Sequence, residues 1–133
     1  MRRDDWPARL TEYVDAHRMT PFGWGSHDCV LFAAGWVLEA TGVDPIGDIR
    51  DQWADERSAL RLIKSLGGLR FAVDERLGNP ISTALAWRGD LILHEITERP
   101  GLGICLGAEF AAPTEDGGLS FVPMSAARMA WRV

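Results

Sequence analysis

Pro21-Phe22-Gly23-Trp24-Gly25-Ser26-His27-Asp28-Cys29 runs directly into Val30-Leu31-Phe32-Ala33-Ala34-Gly35-Trp36-Val37-Leu38-Glu39-Ala40-Thr41, and the reading of that junction decides the fold. The first part is a turn rich in glycine and aromatic residues that ends in two good helix caps, Ser26 and Asp28. In the second part Val30, Phe32, Ala33, Ala34, Trp36, Val37 and Ala40 cover most of a helical circumference, and Gly42 is a natural terminator. A helix that begins near Cys29 and is apolar on nearly every side belongs at the buried centre of the molecule.

Outward from that helix, the two halves of the chain differ in pattern. Towards the N-terminus, Asp4 or Asp5 is placed to cap a first helix with Pro7 in its first turn. Trp6, Leu10, Tyr13, Val14 and His17 share one face, and the helix ends before Pro21. Towards the C-terminus, Val43 to Arg50 reads as a loop, Asp51 to Trp53 as a short helical piece, and Ser58 to Leu66 as a helix closed by Gly67-Gly68. Leu69 to Leu77 is a weaker helix ended by Gly78-Asn79-Pro80. The periodicity then changes. Leu91 to Ile96, Leu102 to Leu106 and Leu119 to Val122 are short apolar runs between Gly and Pro, and Trp131 to Val133 is placed to close an antiparallel sheet. Helices followed by strands give an α+β class.

Composition narrows the function classes. With 133 residues, 47% hydrophobic and 25% charged, the chain is sized for one domain spanning 1–133. A net charge of -5 and the lack of any basic run argue against binding a nucleic-acid backbone. No apolar run approaches the roughly 20 residues of a membrane helix, and the Met1-Arg2-Arg3-Asp4-Asp5 start lacks a signal-peptide core. The expectation is a soluble protein made in the cytoplasm, without membrane insertion. Cys29 and Cys105 form no CxxC and have no His at ligand spacing, so neither a metal site nor a cofactor is expected, and both thiols are read as free. Gly101, Gly103 and Gly107 sit in a strand pattern rather than a phosphate loop, and are read as allowing close packing on helix 29–41. Among 14 basic residues only Lys64 is lysine, and six tryptophans run from Trp6 to Trp131. Arg and Trp favour partner interfaces, although a Trp-rich small core gives the same counts.

Cys29 is the chemical candidate. A thiol in the first turn of a helix feels the positive end of the dipole, and free N–H groups there can hold an oxyanion. The competing reading is an inert packed thiol, since cysteine is among the most buried residue types. Three histidines are available as a base. His94 is favoured because its strand pairs with 101–106. His27 is adjacent in the turn, where it caps the helix, stacks on Trp24 or faces solvent. His17 reads as a charge at a helix C-terminus. Glu95, Glu98 and Arg99 read as a charged hairpin tip, and Asp51, Asp55, Glu56 and Arg57 as a solvated face.

These residues resemble the NlpC/P60 group of papain-like cysteine peptidases and amidases that cut peptidoglycan peptides. Trp24 to Phe32 is similar to the family's Gly-x-x-Asp-Cys-Ser-Gly-Phe helix start, and Trp87-Arg88-Gly89-Asp90-Leu91-Ile92-Leu93 to its Gly-Asp-Leu strand. Gly101 to Gly107 is similar to its His-Val-Gly-Ile-Tyr-x-Gly strand, and Phe110-Ala111-Ala112-Pro113 to the strand after it. Closer still is a small phage-encoded branch found among tail-assembly genes, which shares Pro21 to Cys29, Thr41 to Pro45 and Ala130 to Arg132.

The resemblance implies a papain-like NlpC/P60 core with Cys29 at the nucleophile position. The family's catalytic His falls on Gly101 and its orienting polar residue on Ala111, so the inherited triad is incomplete. The implied function is a phage tail or tail-tip component, a pseudoenzyme carried in the virion, made in the host cytoplasm and touching other tail proteins. The alternative is an active cysteine endopeptidase or amidase on peptidoglycan during phage entry, using Cys29 with His94 or a partner's His. A third reading is a free-standing stress or toxin-type protein on the same fold.

Overall fold

The computed structural model of the protein describes residues 1–133. Helices α1 (Trp6–His17), α2 (Cys29–Thr41), α3 (Glu56–Ser65) and α4 (Leu69–Leu77) come first. Strands β1 (Leu91–His94), β2 (Gly101–Cys105), β3 (Glu109–Pro113), β4 (Leu119–Pro123) and β5 (Ala127–Trp131) follow, in one antiparallel sheet ordered β4-β3-β2-β1-β5. The architecture is α+β, N-terminal helices and then a sheet. No helix is long and apolar enough to cross a membrane.

Helix α2 is the centre of the packing. Phe32, Ala33, Ala34, Trp36, Val37 and Ala40 are all buried on it. Phe32 and Trp36 join Leu10 and Val14 of α1 and Leu91, Leu93, Leu102 and Ile104 of the sheet in the main core. Full burial of one such aromatic side chain contributes roughly 3 kcal/mol. The Trp36 indole N–H donates to the Gly89 carbonyl at 2.7 Å, so the largest side chain of the helix is buried without an orphaned donor. Gly42 ends α2 with φ +80°, a left-handed conformation that suits glycine.

Local details differ from the sequence expectations for physical reasons. Asp5 sits at the start of α1, but its carboxylate accepts from Arg9 Nε at 2.7 Å instead of capping the helix. The loop expected over Val43 to Arg50 is present as turns, but the helical piece expected at Asp51 to Trp53 is not: the turns run on to Asp51, which has φ +67°, and a bend follows at Gln52. Helix α3 starts two residues early because Asp55 caps it, its side chain accepting from the Ser58 N–H at 2.7 Å in a capping box. Strand β1 stops at His94, where 95–100 bends into the hairpin. Strand β5 is Ala127–Trp131, earlier than the expected 131–133, because apolar alternation is weak over those residues; an irregularity in register next to Leu93/His94 blurs it further. Gly101 and Gly103 do not make room for α2. A Cβ on Gly103 would meet the Ala111 backbone carbonyl and the side chains of Phe110 and Ile92, and those two side chains lie on the sheet face turned away from that helix.

That second face carries its own core of Ile92, Cys105, Phe110, Ala112, Ala127 and Ala130. It is covered by the segments around Ile81 and Met124. Ile81 also bridges Ala130 along the outer edge of β5. On the other edge, the Gly118 and Leu119 N–H groups donate to the Thr20 and Arg18 carbonyls, tying the start of β4 to the end of α1.

A buried carboxylate, Asp90, binds remote parts of the chain together. Arg2 Nη2 donates to Asp90 Oδ1 at 2.7 Å, while the same guanidinium donates to the Arg88 carbonyl at 2.7 Å and the Val133 carbonyl at 2.8 Å. The Val133 and Trp87 N–H groups donate to the two Asp90 oxygens at 3.1 and 2.8 Å. Removing one member of a buried, hydrogen-bonded ion pair leaves the other uncompensated. Asp90→Ala is expected to lower unfolding free energy by about 3 kcal/mol, read from urea denaturation midpoints; an unchanged midpoint would show that the clamp carries no stability.

Candidate functional site

The site is built on the turn before α2. Gly23 and His27 exchange backbone hydrogen bonds at 3.0 and 2.8 Å, folding 23–27 into a tight loop. Gly25 has φ +80°, and a Cβ there would lie 2.5 Å from the Trp53 carbonyl, so only glycine fits between the turn and the 43–55 loop. Asp28 is fully buried and accepts three N–H groups, from Leu31 at 3.0 Å, Gly25 at 2.9 Å and the Trp53 indole at 2.8 Å. The sequence points to the capping role alone. The carboxylate also fastens the preceding turn and the loop that carries Trp53.

Cys29 is therefore held as the first residue of α2, half-buried, with its sulfur against the backbone of Leu102 in β2. Burial pushes the thiol up to about 11, the Leu102 N–H pulls the other way, and the Asp28 charge adds to the rise. Desolvation thus outweighs the backbone N–H groups that favour the thiolate, and the sulfur is protonated at neutral pH.

The expected base, His94, ends β1 directly opposite Gly101. Its ring lies against that glycine, with Cε1 and Nε2 at 2.7 and 2.8 Å from where a Cβ on Gly101 would stand. An imidazole therefore occupies the space next to Gly101, but it comes from the neighbouring strand. It stacks on Phe110, with centroids 5.4 Å apart and planes 13° apart, on the sheet face turned away from α2. Nδ1 accepts the Ile96 N–H at 3.3 Å, which puts the proton of the neutral ring on Nε2, and that atom is buried without a partner. Burial lowers the ring's pKa. His94 and Cys29 line one groove of about 600 Å³ at this end of the sheet, yet no hydrogen bond joins them.

The other histidines turn elsewhere. His27 is buried rather than facing solvent or stacking on Trp24. Its ring lies 5.4 Å from His17, 11° from parallel, with Phe32 against its edge. His27 is lowered by burial and by His17, and its Nε2 has no partner. His17 is half-buried, with Nδ1 2.7 Å from the Tyr13 carbonyl. Ala111 is buried in the main core and offers no polar atom to orient a base. The two thiols are free; Cys105 packs with Ile92 and Phe110, across the sheet from Cys29. No cluster of three or more His, Cys, Asp or Glu side chains is placed to hold a metal ion.

A family model described as a domain of unknown function, DUF6950, matches residues 1–133. The chain belongs to the DUF6950 family. No curated protein matches the sequence. In this DUF6950 chain several parts of the site escaped the sequence reading. Glu56 at the start of α3 pairs with Arg99 of the β1–β2 hairpin across the groove. Trp53 and Phe110 fix Asp28 and His94. A charged residue just after Asp55 was the only available signal for the Glu56 contact, and nothing in the sequence marks its partner.

Two outcomes follow. Because His27 and His94 titrate lower when folded than when unfolded, their contribution is full above the ordinary imidazole range and is lost as pH falls through it. Urea midpoints are expected to drop from pH 7.5 to pH 5.5, and His94→Phe to flatten the slope. Iodoacetamide labelling of Cys29, followed by peptide mass, is expected to be about a hundredfold slower at pH 7.5 than that of a free thiol; labelling at the free-thiol rate would contradict a desolvated sulfur.

Proposed function

We propose that this chain is a bacteriophage tail component, at or near the tail tip, in which a papain-like NlpC/P60 fold serves assembly or adsorption rather than catalysis. The observation that carries the non-catalytic part is geometric: His94 stacks on Phe110 on the sheet face turned away from α2 and no hydrogen bond joins it to Cys29, whose sulfur lies beside the Leu102 backbone where burial raises its pKa. The lone pair of neutral His94 is on Nδ1 and is engaged by Ile96, while Nε2 bears the hydrogen. A nucleophilic cysteine needs the opposite arrangement, a bare ring nitrogen facing the sulfur and a polar group behind it.

The phage assignment is supported by the resemblance in Pro21 to Cys29, Thr41 to Pro45 and Ala130 to Arg132. A cysteine-headed helix packed on an antiparallel sheet is in keeping with the papain-like reading. Under this reading the chain resides in the virion and contacts other tail proteins.

One observation favours a second reading, an active cysteine peptidase or amidase on peptidoglycan peptides. Cys29 and His94 do share a groove, and a change of the His94 tautomer together with a shift of the hairpin would join them. The two readings separate in one pair of measurements. The protein is expected in purified particles at fixed stoichiometry, and purified cell wall is expected to be hydrolysed equally slowly by the wild type and Cys29→Ala. Consistent absence from particles would remove the tail reading, and hydrolysis lost in Cys29→Ala would establish the enzyme.

A further inference from the structure

Beside the polar groove lies a second space of different character. A cavity of about 330 Å³ opens between α2, the 43–55 loop, α3 and α4, with Ile46, Ile63, Leu69 and Leu102 among its walls. The charged groups that line it are already engaged. Asp28 accepts its three N–H groups, Arg99 pairs with Glu56, and Arg76 donates to the Ala72 carbonyl and to Asp48, each at 3.0 Å. What the cavity asks of an occupant is therefore apolar bulk. Protein interiors pack without voids of this size, and an apolar cavity of roughly half the volume takes up benzene. By that measure there is room for an aliphatic chain of about ten carbons.

The mouth of the cavity adds a second requirement. Trp24, Cys29, Arg99 and Pro100 line both the cavity and the groove, so the two spaces meet there. On the groove side Trp24 stands edge to face with Phe22, the ring centroids 5.1 Å apart and the planes at 87°. Both are half-buried residues of the groove wall. Two aromatic rings at right angles make a corner whose π-faces attract a cation, a quaternary ammonium above all. The charges of the groove point the same way: Glu56, Glu98, Glu115 and Asp116 line it against a single cation, Arg99, which Glu56 already engages. An anion at this mouth is repelled, whereas a positive head meets both the rings and the uncompensated carboxylates.

We propose that the cavity and its mouth bind a single-chain aliphatic amphiphile with a cationic head, a long-chain amine or trimethylammonium compound. The chain fills the space between α2, α3 and α4, and the head rests against Trp24 and Phe22, facing Glu98, Glu115 and Asp116. Burial of the chain supplies the affinity and the mouth selects the charge. An apolar side chain of a partner protein is the poorer fit, because no single side chain fills a space of this size. Such a site needs neither a catalytic base nor a partner chain, and it stands whether the molecule serves assembly or hydrolysis.

Calorimetry on the full chain tests it with decyltrimethylammonium, 1-decanol and decanoate, each kept below the concentration at which it forms micelles. Decyltrimethylammonium is expected to bind one-to-one with Kd on the order of 100 µM, and decanol and decanoate at least about tenfold more weakly. Phe22→Leu, and separately Glu115→Lys/Asp116→Lys at two exposed turn residues, are expected to reduce decyltrimethylammonium to the affinity of decanol without moving the urea midpoint. Ala59→Leu, which narrows the cavity, is expected to weaken decyltrimethylammonium and decanol alike. Methyl NMR of the wild type locates the chain independently of any variant, with ligand-induced shifts expected at Ile46, Ile63, Leu69 and Leu102. Shifts at the exposed Leu38 and Leu85 instead, or binding that never saturates, overturn the proposal. Equal affinity for cation and anion does so too, and tighter binding of decanoate would place the head at Arg76, whose Nε is buried without a partner.

Discussion

The Asp28 carboxylate is the contact on which the site depends. A buried charge is costly unless its lone pairs are satisfied, and here three N–H groups from three separate segments converge on it. Each donor fixes something different: the Leu31 N–H sets where α2 begins, Gly25 holds the turn, and the Trp53 indole brings the 43–55 loop against the helix. The position of Cys29 and the walls of the apolar cavity both follow from that convergence. The same negative charge also works against ionisation of the neighbouring thiol, so the residue that positions Cys29 helps keep it unreactive.

Asp90 solves a similar problem elsewhere by a different route. Its charge is balanced by a guanidinium instead of by neutral donors alone, and the partners come from positions far apart in the chain. One carboxylate organises the entrance to α2 and the other the turn before β1, where the Trp36 indole bonds to Gly89.

Helix α2 was readable because its signals are local and agree: a capping residue, an apolar surface on every side and a terminating glycine. The order of helices and strands was readable for the same reason. Strand β3 was not visible in the pattern, because Ala111 and Ala112 carry no alternation, and it emerged from resemblance alone. The limits of β5 were blurred by its register irregularity. At the site, the place of Cys29 at a helix start is legible in the sequence, but the protonation of its thiol depends on burial by distant elements, which is not. The face presented by His94 depends on register, and its tautomer depends on the Ile96 N–H, which no side-chain pattern encodes. Long-range partners such as Arg2 with Asp90, or Glu56 with Arg99, are set by tertiary geometry, and one arginine among thirteen looks much like another.

The edges of the sheet constrain how copies of the molecule can join. An open strand is a template on which a neighbouring chain can add another, and such growth has no natural end. Here β5 is bridged by Ile81, while β4 is tied down at its start by the carbonyls of Arg18 and Thr20 and finishes at Pro123, which has no N–H to give. What stays open along β4 is too short to recruit a foreign strand in stable register. The fold is thereby guarded against fibrillar growth at high local concentration, and its productive contacts are restricted to side-chain surfaces, where geometry and charge limit how many neighbours can attach.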